Sequence, residues 1–110
     1  NYLTLANAKK GKVERQLDET AMHPTADNYL QLSMLYFEKK QYQQVIEACQ
    51  HALKLKTDFA AAYNNLCVTY NELGQYDNAE VACQHALAIE PEFTLAKNNL
   101  AAVQTKRAMQ

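Results

Sequence analysis

Apolar residues recur every three or four positions along most of this chain, the spacing of helices that each bury one face. The rhythm is cleanest over 60–93. There Tyr63, Leu66, Cys67 and Tyr70 mark one helical face, and Gly74 interrupts the pattern. Ala79, Cys83, Ala86, Leu87 and Ile89 mark a second face, which Pro91 ends. The pattern predicts two antiparallel helices joined by a tight turn. Asp77, followed three residues on by Glu80, has the form of an N-cap with its capping box.

Segment 26–59 carries the same pattern at an offset of 34 residues. Without gaps, 14 of the 34 positions are identical, and Ala-Cys-Gln-His-Ala-Leu recurs at 48–53 and 82–87, so one structural unit is repeated. Its first helix shows Tyr29, Leu32, Ser33, Tyr36 and Phe37, and a turn is expected at Lys39–Gln41. Tyr42, Val45, Ile46, Cys49, Ala52, Leu53 and Leu55 form the second. Lys40 stands where the later unit has Gly74. If that slot is left-handed, Lys40 costs about 1 kcal/mol relative to glycine.

The ends are less regular. Tyr2, Leu3, Leu5 and Ala6 could form one stripe and Val13, Leu17 and Ala21 another. Gly11 is expected to close the first arm in the left-handed conformation, and Pro24 to end the second. This arm is about one helical turn shorter than its counterparts. Residues 1–25 thus read as a degenerate helical hairpin packed onto the first regular unit. From Thr94 the pattern starts a third time, with Leu95, Ala96, Leu100, Ala101 and Val103 on the apolar face. Lys97 and Gln104 replace the earlier tyrosines, which suits a solvent-facing terminal helix over 94–110.

Composition narrows this picture. At 110 residues, with 48% apolar and only two Gly and two Pro, the chain is one compact all-α domain rather than a disordered segment. A net charge of −1 provides no basic field for nucleic acid. No apolar run approaches the roughly 20 residues of a membrane span, so no direct membrane insertion is expected. The start has no signal-like apolar stretch and no initiator Met, so Asn1 is expected to be an internal residue of a longer protein. Cys49 and Cys83 hold the same place in successive units, with Cys67 mid-helix between them. That periodicity reads as three small buried apolar residues and not a disulfide framework, and suits a reducing compartment.

No catalytic constellation, phosphate loop or cofactor motif is present in the sequence. His51 and His85 recur, but Cys49 and His51, two residues apart on a helix, point to different sides and cannot chelate one ion. The histidines read as outer-face residues, and the tyrosines as packing residues first.

The two units resemble the tetratricopeptide repeat in period and in the residues that carry its pattern. Residues 60–93 supply Tyr63, Leu66, Cys67, Tyr70, Gly74, Tyr76, Ala79, Cys83, Ala86, Leu87 and Pro91. Residues 26–59 supply Tyr29, Leu32, Ser33, Tyr36, Tyr42, Val45, Cys49, Ala52 and Leu53, departing at Lys40 and Thr57, where Gly and Pro are usual. The resemblance implies an alpha-alpha superhelix of stacked antiparallel pairs, with first helices on the concave face. It also implies a non-catalytic protein-interaction module.

Groove positions follow from that implied geometry. They are Gln31, Asn65 and Asn99, then Leu30, Asn64 and Asn98, with Met34 and Phe37, Val68 and Asn71, and Ala102 and Thr105 farther along. An amide both donates and accepts, so Asn65 and Asn99 could pair with the backbone of an extended peptide whatever its side chains. Family members that grip a C-terminal carboxylate use Lys, Arg and Asn on successive first helices. Here Leu30, Met34, Leu95 and Asn99 stand at four of those places and only Asn65 matches. Residues 60–93 hold five acidic residues and no Lys or Arg, which disfavours an acidic ligand. The expected partner is a neutral to mildly basic extended segment. The alternative is a spacer or self-associating element of a larger protein, possessing catalysis, if any, outside these residues.

Overall fold

The computed structural model describes residues 10–110. Among the described residues there are six helices and no strands: α1 (Lys12–Met22), α2 (Ala26–Glu38), α3 (Tyr42–Leu55), α4 (Ala60–Glu72), α5 (Tyr76–Ile89) and α6 (Thr94–Ala108). They form an all-α repeat solenoid, elongated to 56 × 27 × 20 Å. Each helix packs on the next, and α4 also touches α2 and α6, so the first helices of successive units lie side by side. The expected apolar stripe at Tyr2, Leu3, Leu5 and Ala6 lies outside the described residues.

The two turns inside the repeats are the same motif. Lys40 adopts φ 59° and Gly74 φ 75°. In the first, Gln41 N–H donates to Tyr36 C=O at 2.9 Å and Lys40 N–H to Phe37 C=O at 2.9 Å. In the second, Gln75 donates to Tyr70 at 2.9 Å and Gly74 to Asn71 at 3.1 Å. These are the paired bonds that close a helix through a left-handed residue. Gly11 behaves otherwise than expected: at φ −76° and ψ 174° it is extended and stands at the N-cap of α1. Thr25 caps α2, its side chain accepting from Asn28 N–H at 3.1 Å.

Asp77 is not an N-cap. Gln75 holds that place in α5, with no side-chain cap, and Asp77 lies in the first turn. Asp77 and Glu80 instead meet Arg107 of α6, the Glu80 bond being 2.7 Å. A local motif is thus used for a long-range ion-pair cluster that clips the end of α6 onto the start of α5.

The main core runs through both repeats, with Val45, Ile46, Cys49, Leu66, Cys67, Ala79, Ala82, Cys83 and Val103 buried together. Tyr36, Tyr63, Tyr70 and Tyr76 pack around it. A second cluster joins Ala52, Phe59 and Ala62 where α3 turns into α4. Across each helix pair a tyrosine stacks on a histidine: Tyr29 on His51 with ring centroids 5.0 Å apart, and Tyr63 on His85 at 4.8 Å. In α6, Ala96 and Val103 are buried, whereas Leu95 and Ala101 of its expected apolar face are exposed. Leu55 is also exposed.

All three cysteines are buried, but they are not all thiols. Cys67 and Cys83 form a disulfide with Cα atoms 5.3 Å apart, tying α4 to α5. Cys49 is the free one. The facing positions one repeat earlier are Ser33 and Cys49. The same helix crossing is therefore covalent in one repeat and a serine–cysteine contact in the other. The periodicity that argued for packing also places two cysteines opposite each other, close enough to bond.

Candidate functional site

The candidate surface lies on the first helices α2, α4 and α6. A depression of about 270 Å³ opens between α2 and α4. Met34 and Phe37 of α2, Val45 of α3 and Val68 of α4 supply its apolar walls. Ser33, Asn65 and Glu38 supply its polar edge. Val45 is fully buried and Met34 half exposed, so the wall has a fixed floor and an adaptable lip.

The amides of the expected ladder are partly engaged within the fold. Asn65 Nδ2 donates to Ser33 Oγ at 3.2 Å, and that hydroxyl donates to Leu30 C=O at 2.6 Å. Asn99 Nδ2 donates to Asn64 Oδ1 at 2.9 Å. Each bond joins one first helix to the next, so these amides set the spacing of the helices that make the surface. Each uses one N–H of a group that has two and a C=O besides.

Asn64 is only 6% exposed, so it belongs to the seam between α4 and α6 and is corrected from open groove to structural partner. Asn71 is half-buried, and its Oδ1 is enclosed without a hydrogen-bond partner among the described residues. Gln31 and Asn98 are exposed on the flanks. Of the expected groove residues, Met34, Phe37, Asn65 and Val68 share the depression. Sequence reasoning missed Ser33, Val45 and Glu38 as its remaining lining. Ser33 and Val45 fall on the packing pattern, which they also serve, and a single charge at a helix end carries no pattern of its own.

Behind this surface Ser33 also touches Cys49. Burial pushes the Cys49 thiol up to about 11, with the Ser33 hydrogen bond pulling slightly the other way. It is a protonated, inert group at neutral pH.

Models of the tetratricopeptide repeat match residues 26–59 and 60–93. The chain belongs to the tetratricopeptide repeat family. No curated protein matches it in sequence. Among solved structures, the Arabidopsis OM64 TPR domain superposes with a TM-score of 0.80 at 22% identity, covering 84% of this chain and 78% of that one. MamA gives a TM-score of 0.80 at 26% identity over 87% of this chain, which spans 53% of MamA's. The first TPR of Spaghetti (RPAP3), bound to the HSP90 peptide SRMEEVD, gives 0.82 at 18% identity, covering 87% and 77%.

Proposed function

We propose that the chain is a non-catalytic protein-interaction module that holds an extended peptide, neutral to mildly basic, along α2, α4 and α6. The observation that carries this reading is the apolar depression edged by the Asn65 amide, on the face where the first helices meet. The peptide-bound state of the RPAP3 domain supports a peptide as the class of ligand. That peptide ends in acidic residues, whereas this chain has Leu30, Met34 and Leu95 at places where a carboxylate grip needs basic or amide groups. A different ligand chemistry follows.

The test is a display screen of extended peptides against the whole chain, with Met34→Glu as the blocked control. Met34 is half exposed, so this change leaves the core intact. Peptides captured by the native chain and lost by the variant support the reading. Equal capture by both would refute it. Asn65→Ala and Asn99→Ala are poorer probes alone, because each also removes a bond between helices.

Self-association is the second reading, favoured by Leu95 of α6, an apolar side chain at 60% exposure. Light scattering over a concentration series separates the two. A dimer whose formation Leu95→Lys abolishes supports assembly, and a constant monomer excludes it.

A further inference from the structure

We propose that the depression between α2 and α4 takes one large apolar side chain of the bound segment, and that Glu38 and Glu72 select a lysine or arginine two residues away from it. This deepens the groove reading above and rests on it.

The volume sets the apolar half. About 270 Å³ falls just below the roughly 300–1,000 Å³ typical of sites for whole small molecules. It suits a single anchoring side chain. Met34, Phe37, Val45 and Val68 offer that chain only apolar contact. At the edge Asn65 spends one N–H on Ser33, and its second N–H and its C=O remain for the backbone of the bound segment.

The charges set the second half. Glu38 lines the same depression. Glu72 is its counterpart one repeat later, one of the few charges the two units share. Each is the last residue of its helix, α2 or α4, and neither helix has a basic residue in its last turn. A carboxylate is disfavoured there, because the helix C-terminus is already the negative end of the dipole. Folding alone does not call for the placement, and it occurs twice. In the third unit the same position is Lys106.

Four acids are paired internally, Asp77 and Glu80 with Arg107, Glu92 with Lys97, and Asp18 with Lys10. Glu38 and Glu72 are exposed and make no ion pair among the described residues, although Lys39 and Lys40 follow Glu38 directly. Glu38 on the pocket wall, and Glu72 one helical turn beyond the wall residue Val68 on α4, therefore offer two unpaired carboxylates to a ligand cation. In an extended chain residues i and i+2 project to the same side. An apolar anchor and a cation two positions apart can thus both face the groove.

The test uses a random nine-residue peptide library displayed against three forms: the native chain, Glu38→Lys with Glu72→Lys, and Met34→Glu. All three changes are at exposed positions, and circular dichroism checks that each form is helical. The native chain is expected to enrich a large apolar residue spaced two from Lys or Arg. The double variant is expected to bind the best such peptide about tenfold or more weakly and to enrich Asp or Glu instead. Peptides that Met34→Glu loses but that carry no basic preference would overturn this inference and leave the groove reading standing. Absence of any peptide specific to the native chain over Met34→Glu would overturn both.

Discussion

Lys40 sits at φ 59° in the slot that Gly74 fills at φ 75°. A side chain there costs about 1–2 kcal/mol, and glycine recovers most of it less its own entropy of ordering. Lys40→Gly should therefore raise stability by about 0.5–1 kcal/mol, read as a higher urea midpoint with unchanged slope. This position was legible because the repeat supplies its own reference: the second copy shows which residue the turn prefers. The role of Asp77 and Glu80 was not legible, because Arg107 lies 30 and 27 residues away in sequence and no local pattern announces it. Cys49 allows a sharper check. Burial raises its folded-state pKa from 9.0 to about 11, so between those pH values the folded chain keeps a proton that the unfolded chain releases. Its contribution is complete below about pH 9 and is lost as pH rises toward 11. The slope is at most about 1.4 kcal/mol per pH unit. Unfolding curves from pH 8 to about 11 should show the native chain losing this stability relative to Cys49→Ala. Parallel curves for the two would mean that the thiol does not titrate with unfolding.

At the scale of elements, helix existence and phase followed from period alone, since 3.6-residue spacing and two left-handed stops leave little freedom. What joins the helices was harder to read. The crossing of α2 with α3 pairs Ser33 and Cys49, while that of α4 with α5 pairs Cys67 and Cys83 in a disulfide. Both pairs are 16 residues apart, so a repeat alignment that asked which positions face each other would have found the bond. Closing a loop of this length removes chain entropy worth about 3 kcal/mol from the unfolded state. Reduction should accordingly lower the stability of the native chain by that order, with little effect on Cys67→Ser. Equal losses in both would place the reductant's effect elsewhere. The amides show the same limit of sequence reasoning. Their recurrence marked Asn64, Asn65 and Asn99, but only the packing of α2, α4 and α6 showed which hydrogen bonds run between helices.

Across the whole molecule, stability is shared between neighbours, because a single helix pair cannot bury its own apolar faces. The period of 34 residues made this architecture readable before any contact was known. The ends were less readable, since a terminal helix answers to water on one side and to the array on the other. On α6 this produces buried Ala96 and Val103 beside exposed Leu95 and Ala101. Its covering role can be measured by ending the chain at Phe93. That removes the fully buried Val103, worth about 1.5–3 kcal/mol by transfer alone, and with it Arg107's hold on α5. It also strips Asn64 of its partner on Asn99 and opens the seam beside α4. The shortened chain should lose at least about 2 kcal/mol of stability and unfold at a lower urea midpoint, with a shallower slope because less surface is buried to begin with. An unchanged midpoint would mean that α6 rides on the solenoid without supporting it, and that the repeats over 26–93 hold their groove-forming helices together alone.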